Sequence, residues 1–284
     1  MNPYIEILRI GNVILACITI VLIALISHDY SLAMVLTTGC VFLAMGGGNV
    51  INDYFDYKID LINRPDRPIP SGRISLKNGL HYAYGLFASA MIVSVILSYL
   101  ISSIWPGVIV ILACIIMYFY GRNLKSTVLI GNFTVALLTG VCFIFGGVVS
   151  GVDTSSTTII YTSLFLGFFA VLMTAAREII KDMEDMEGDK KEGVMTFPIK
   201  YGLKKSSYIA IALIVIDCIL CPLLYIYNVF SVNYLYIITI AVIMFVYAAL
   251  KIIQNQSKEN CKVASKLTKF GMLVAFIAFV IGSF

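Results

Sequence analysis

Nine apolar segments, each of bilayer-spanning length, divide this sequence and constrain its fold more than any other feature. A transmembrane helix needs about 20 mostly apolar residues, whereas a transmembrane strand needs only about 10. Because lipid offers the backbone no hydrogen-bond partners, each long segment has to satisfy its own backbone groups as a helix. Only 13% of the residues are charged and 60% are hydrophobic, so we predict an all-α polytopic membrane protein. The segments are residues 10–27, 31–51, 79–102, 105–120, 127–150, 157–176, 207–227, 232–250 and 267–284.

The basic residues predict how these segments are oriented. With the segments placed as above, all 20 lysines and arginines fall on one side of the membrane. The opposite loops carry Asp29 and Asp153 but no basic residue. Cytoplasmic loops are enriched in lysine and arginine, so we predict a cell-membrane protein with its N-terminus inside and its C-terminus outside. The net charge of +4 then reflects topology. We see no nucleic-acid-binding motif, and we predict neither a nucleic acid nor an obligate protein partner.

The first of two acidic clusters on this side follows the second apolar segment. Asp53, Asp56 and Asp60 are spaced by three and four residues, so their carboxylates share one face if the preceding helix continues through them. Such a face repels itself unless cations balance it. Hard cations such as Mg²⁺ bind oxygen ligands, typically one or two carboxylates together with substrate phosphates. The cluster therefore predicts a Mg²⁺ site.

A second acidic cluster follows the sixth apolar segment and repeats this spacing. It contains Asp182, Asp185 and Asp189, and like the first cluster it is followed by a proline and another apolar segment. The repetition indicates two similar halves, near residues 1–125 and 126–284, within a single domain that covers 1–284. Each half would contribute one acidic face to a shared site.

The two clusters together favour chemistry on a diphosphate. Either cluster alone is also typical of a solvated loop balanced by nearby lysines. Two Mg²⁺ ions with arginine and lysine would position a diphosphate and stabilise the charge that develops as it leaves. Because long apolar segments adjoin both clusters, the rest of that substrate is expected to be a hydrocarbon chain. The reaction implied is ionisation of an allylic diphosphate and capture of the carbocation by a lipid-soluble acceptor.

Three isolated polar residues admit two interpretations each. Arg9, at the edge of the first segment, is either a snorkelling anchor or a contact for an anionic substrate. Asn132, inside the fifth segment, either joins helices or lines a cavity. Asp217 lies within the seventh segment, where a charge costs about 2.5–3.5 kcal/mol on insertion scales. Asp217 is therefore either a functional residue, although no partner for it is evident, or a side chain that is simply protonated or hydrogen-bonded.

Three segments carry a resemblance to a known family. They are Asn52-Asp53-x-x-Asp56-x-x-x-Asp60, the Arg64-Pro65-Asp66-Arg67-Pro68 run, and the second acidic cluster. Together with the nine apolar segments they resemble the UbiA-type intramembrane prenyltransferases over nearly the whole chain. The resemblance implies a ring of helices around a central cavity open to lipid. Inside it, the two acidic motifs would hold two Mg²⁺ ions on an isoprenoid diphosphate.

The resemblance also implies roles for individual residues. Lys181 stands four residues before Asp185, where the family pattern usually has an acidic residue, so Asp182 either replaces that ligand or only forms a salt bridge. The implied metal ligands are Asn52, Asp56, Asp185 and Asp189, supported by Asp53, Asp60 and Asp182; the implied diphosphate-binding residues are Arg9, Arg67, Lys125, Arg177 and Lys181; and Asp56, Asp185 and Lys125 are the implied catalytic residues.

Within the family, these segments are most similar to the enzymes of archaeal ether-lipid synthesis. This implies transfer of geranylgeranyl from its diphosphate to the free hydroxyl of geranylgeranylglyceryl phosphate. Three alternatives remain. The same chemistry serves aromatic acceptors in quinone, chlorophyll or haem O synthesis. A cation transporter would usually place its site near the membrane midplane, on broken helices. A CDP-alcohol phosphotransferase would have an Asp-Gly and Ala-Arg motif that we do not find.

Overall fold

The computed structural model describes residues 2–191 and 193–284, and in these ranges nine helices are long and apolar enough to cross a membrane. They confirm the predicted all-α polytopic fold. Four short helices, Pro3–Glu6, Tyr57–Asn63, Phe197–Tyr201 and Leu223–Ile226, and a π-helix, Tyr120–Leu124, adjoin them. The long helices are α1 (Ile10–Ser27), α2 (Leu32–Phe55), α3 (Leu76–Leu100), α4 (Trp105–Phe119), α5 (Ile130–Asp153), α6 (Thr157–Lys191), α7 (Leu203–Leu220), α8 (Val232–Gln254) and α9 (Lys258–Gly282). The fourth span continues from α4 through the π-helix to Leu124, and the seventh continues from α7 to Ile226.

Two helices extend by nine or more residues beyond the apolar segments that predicted them. Helix α6 continues to Lys191 instead of ending near residue 176, and α9 begins at Lys258 instead of near residue 267. Hydropathy marks the part of a helix that suits lipid, whereas lysine, glutamate and methionine are good helix formers in water as well. At the start of α9 the Ser257 hydroxyl accepts a hydrogen bond from the backbone N–H of Asn260 at 3.3 Å. The second acidic cluster therefore lies on a continuous helix.

The chain forms two compact units. The first contains the residues up to Lys125 together with Val141–Leu164, and the second contains Ser126–Gly140 together with Phe165–Phe284. Helices α5 and α6 each contribute to both units. The two halves proposed from the sequence, 1–125 and 126–284, differ from these units because Val141–Leu164 belongs to the first unit. An internal repeat within a single domain stays a prediction.

In the first unit, glycines of α2 allow close packing against its neighbours. A Cβ atom on Gly47 would lie 2.7 Å from the Phe87 ring of α3, and one on Gly48 would lie 2.7 Å from the Met117 sulfur of α4. Real Cβ atoms do not approach other atoms so closely, so larger residues there would separate these helices. The glycines bring α2 into contact with both partners just before its acidic end.

In the second unit, α7 ends in a buried polar region. The Asp217 side chain is buried, and its Oδ2 lies 3.9 Å from the Cys221 sulfur, which donates to it. The Tyr234 hydroxyl of α8 donates to the Cys221 carbonyl at 2.9 Å. Within the described part of the chain, Asp217 Oδ1 has no hydrogen-bond partner. Asp217 thus lies in the last turn of α7, with a thiol and no basic residue as its hydrogen-bond partner.

Candidate active site

The first acidic cluster lies where α2 gives way to the helix Tyr57–Asn63. Asp56 is the junction, with φ −78° and ψ −1°, so the helix is interrupted at this one residue rather than continuous. The hydrogen bonds persist across it: Asp56 N–H donates to the Asn52 carbonyl at 2.9 Å, and Asp60 N–H donates to the Asp56 carbonyl at 2.8 Å. Asp53 and Asp60 therefore stay about two turns apart on one side.

Two arginines neutralise Asp53 and Asp60. Arg67 Nη1 lies 2.6 Å from Asp60 Oδ2 and 3.4 Å from Asp53 Oδ1, and Arg9 also pairs with Asp53. Only 3% of the Asp53 side chain and 7% of the Asp60 side chain are exposed. Buried carboxylates need such partners, because an unpaired buried charge is costly. Arg9 and Arg67, predicted to contact the diphosphate, are thus engaged with two of the predicted supporting metal ligands.

Asn52 and Asp56 have a different environment. Asp56 Oδ2 accepts a hydrogen bond from Lys125 Nζ at 2.5 Å, with 48% of the lysine side chain exposed. Asn52 Oδ1 is buried and has no hydrogen-bond partner among the residues described. Gly121 packs against it, and a Cβ atom there would lie 2.6 Å from Asn52 Oδ1. Gly121 belongs to the π-helix Tyr120–Leu124, a distortion frequent at functional sites.

The donor set of Asn52 and Asp56 fits Mg²⁺. It consists of an amide oxygen without a partner and a carboxylate, which are the hard oxygen ligands that this ion takes. Residues 2–191 and 193–284 contain no group of three or more His, Cys, Asp or Glu side chains placed to hold a metal by themselves. Mg²⁺ usually keeps several waters and shares one or two carboxylates with substrate phosphates, so an incomplete protein ligand set is what such a site requires.

The second acidic cluster lies on the last turns of α6, in the other unit. Asp182 accepts a hydrogen bond from Asn132 Nδ2 of α5 at 2.8 Å. Asn132 therefore joins α5 to α6. Its partner Asp182 is the residue that the sequence left open as either a metal ligand or a salt-bridge partner. Asp185 is exposed and Asp189 is half-buried. These two carboxylates, four residues apart, lie on neighbouring turns of one helix face.

The basic residues of α6 precede its carboxylates. Arg177 Nη1 lies 3.0 Å from Glu178 Oε1, while its buried Nε has no hydrogen-bond partner within the described ranges. Lys181, one turn further, is exposed. The predicted site residues thus form one group in each unit. Sequence reasoning missed Gly121. It named Arg9, Arg67 and Asn132 but did not predict that they would pair with Asp53, Asp60 and Asp182.

Comparison with known proteins identifies the family to which this chain belongs. The model of the UbiA prenyltransferase family matches residues 13–280. The chain belongs to the UbiA prenyltransferase family. Among UbiA relatives, it is 55% identical over 284 residues to a digeranylgeranylglyceryl phosphate synthase of Methanobrevibacter smithii, covering 100% of this chain and 99% of the relative. It is 52% identical over 283 residues to the enzyme of that name from Methanosphaera stadtmanae, covering 100% of both.

Solved UbiA structures agree with this assignment. One, from work on digeranylgeranylglyceryl phosphate synthase in membranes, has a TM-score of 0.84 and 37% identity and covers 99% of this chain and 97% of that chain. A UbiA homologue from Archaeoglobus fulgidus, bound to GPP and Mg²⁺, has a TM-score of 0.69 at 18% identity, covering 96% of this chain and 99% of that one, and supports the fold alone. The chain is therefore a multi-pass membrane prenyltransferase. Its family excludes the transporter and the CDP-alcohol phosphotransferase.

Proposed function

We propose that this UbiA prenyltransferase transfers geranylgeranyl from geranylgeranyl diphosphate to the free hydroxyl of geranylgeranylglyceryl phosphate. The product carries the second ether bond of archaeal membrane lipids. The observation that carries the proposal is full-length identity of 55% and 52% to two digeranylgeranylglyceryl phosphate synthases. An aromatic acceptor is the alternative, because the chemistry at the diphosphate would be the same.

Two Mg²⁺ ions are proposed as the cofactor, each held mainly by one of the two residue groups. Asn52 and Asp56 would hold one, and Asp185 and Asp189 the other. When bound, Mg²⁺ neutralises the phosphate oxygens and stabilises the charge on the leaving diphosphate. The chain's own contribution is preorganisation. Gly121 leaves room for Asn52 Oδ1, and Lys125 orients the Asp56 carboxylate.

Lys125 and Lys181 are the proposed diphosphate-binding lysines. Their long, flexible stems carry point charges that can reach a phosphate oxygen, and Lys125 would move there from Asp56. Arg9 and Arg67 act indirectly: they pair with Asp53 and Asp60, one on each side of the junction between α2 and the helix Tyr57–Asn63. As the C–O bond to the prenyl carbon forms and the bond to diphosphate breaks, the acceptor hydroxyl proton passes to a carboxylate or to the released diphosphate.

We further propose that the active site faces the cytoplasm. The helix bounds leave connections 28–31, 101–104, 154–156 and 227–231 without any lysine or arginine. All 20 lysines and arginines lie outside these four connections, and the positive-inside rule assigns the side that carries them to the cytoplasm. The N-terminus is then inside and the C-terminus outside.

The acceptor is tested by competition. Purified protein in detergent with Mg²⁺ and geranylgeranyl diphosphate is offered equal amounts of geranylgeranylglyceryl phosphate and 4-hydroxybenzoate, and products are identified by mass spectrometry. We expect the ether product, and we expect EDTA to abolish it. Prenylated benzoate as the main product would retain the family and overturn the acceptor.

A further inference from the structure

We propose that the Thr174 hydroxyl and the Arg177 Nε–H of α6 together bind a phosphate oxygen of one of the two substrates. This inference rests on the proposed function and adds Thr174 to its site as a substrate-positioning residue. Thr174 lies three residues before Arg177 and seven before Lys181, about 4.5 Å and 10 Å along the helix axis, away from the acidic end.

The Thr174 hydroxyl is in an unusual state for a threonine in this protein. Helical threonines commonly donate to the carbonyl four residues earlier. Thr174 is 5% exposed, and its Oγ1 has no hydrogen-bond partner in residues 2–191 and 193–284. The Thr174 hydroxyl therefore lacks the backbone hydrogen bond that other threonines of this chain make. The threonines that do donate to that carbonyl are Thr19, Thr37, Thr38, Thr134, Thr139, Thr154, Thr239 and Thr268.

Arg177, three residues later on the same helix, supplies a second buried donor. Residues three apart on a helix are neighbours, with Cβ atoms about 5–6 Å apart. The Arg177 guanidinium uses Nη1 for Glu178, while its buried Nε–H has no partner among the described residues. Buried polar groups are nearly always hydrogen-bonded in native proteins, so two such groups one turn apart indicate a ligand.

The chemistry of the pair selects an anionic oxygen. Guanidinium groups only donate hydrogen bonds, and a hydroxyl can donate alongside them. Charge-assisted hydrogen bonds from arginine to phosphate are short and strong. Two substrates carry phosphate oxygens, the diphosphate of the prenyl donor and the monophosphate of the acceptor, so the test separates them.

The test removes the hydroxyl while keeping the shape of the side chain. Thr174→Val lacks the donor, Thr174→Ser keeps it, and Thr134→Val is the matched control, since Thr134 is also buried in this unit but donates to the Ile130 carbonyl. KM is measured separately for each substrate, with the other saturating, along with kcat. We expect Thr174→Val to raise one KM roughly tenfold, the value of one hydrogen bond to a charged group. Thr174→Ser and Thr134→Val should stay within about twofold.

The affected KM identifies the source of the phosphate. A rise for geranylgeranyl diphosphate assigns the oxygen to the donor, and a rise for geranylgeranylglyceryl phosphate assigns it to the acceptor. The inference would be overturned if Thr174→Val had the same KM values as the wild type, or if Thr174→Val and Thr174→Ser raised KM equally. If Thr174→Val does not fold, Thr174→Ala, which also lacks the donor, replaces it under the same criteria. A wild-type protein that makes no ether would instead overturn the proposed function.

Discussion

Replacing Arg67 by methionine should destabilise the protein strongly. Methionine keeps most of the apolar stem of Arg67 but removes its guanidinium. Asp60, whose side chain is 7% exposed, then has lost its ion-pair partner, while Asp53 still pairs with Arg9. Removing one partner of a buried ion pair costs about 3–5 kcal/mol. Because Arg67 is 16% exposed and one aspartate keeps a partner, we expect the lower end of that range. About 3 kcal/mol corresponds to a fall in Tm of roughly 6–12 °C for a chain of this size.

The assay is thermal unfolding of purified variants in one detergent, followed by tryptophan fluorescence or thiol labelling. Arg64→Met is the matched control, because Arg64 is an exposed arginine of the same loop. The double variant Arg67→Met with Asp60→Asn removes the unpaired charge and should recover most of the lost Tm. If Arg67→Met unfolds at the same temperature as Arg64→Met, or if Asp60→Asn gives no recovery, the ion-pair account is refuted.

Three further predictions concern a close contact, a surface ion pair and a buried acid. Gly121→Ala should lower kcat at least tenfold, because its methyl group would reach Asn52 Oδ1, whereas Gly85→Ala, with nothing within 4 Å, should turn over normally. The hydrogen bond from Arg73 lowers the pKa of Glu6 below its usual 4.5, so the stabilisation is complete above that pH and is lost as pH falls through the lowered pKa. The Tm difference between wild type and Glu6→Gln should accordingly be present at pH 7 and disappear in acid. Asp217→Asn keeps the shape of a buried side chain that has no cationic partner, so turnover should stay within about twofold and Tm should not fall.

The membrane fold was largely predictable because lipid imposes a simple rule on sequence. A segment that crosses the bilayer has to be apolar for about 20 residues, and each of the nine predicted segments overlaps a membrane-length helix of the described chain. The ends of α6 and α9 were not predictable in this way. Beyond the lipid, helix formation depends on local propensity and capping, which hydropathy does not report, so the extension to Lys191 and the start at Lys258 were missed.

The candidate site was predictable in its residue types but not in its pairings. The spacing of the aspartates identified both acidic groups, since helix geometry connects spacing to a shared face. That Arg67 would pair with Asp53 and Asp60 while Lys125 pairs with Asp56 depends on how loops return to α2. The family resemblance assigns these basic residues to the diphosphate, and that assignment stays a prediction. Gly121 and Thr174 carried no signal, because single glycines and threonines are common in membrane helices.

We propose that Asp56 in the first unit and Asp185 in the second each bind a metal ion when the prenyl diphosphate is present. Mn²⁺ binding, followed by electron paramagnetic resonance with geranylgeranyl diphosphate present, tests it directly in the wild type, Asp56→Asn and Asp185→Asn. Asp66→Asn, at an exposed loop position, is the control for the loss of one charge. We predict about two bound ions in the wild type and in Asp66→Asn, and fewer or weaker sites in each of the other variants. Wild-type Mn²⁺ binding by both Asp56→Asn and Asp185→Asn would contradict the account.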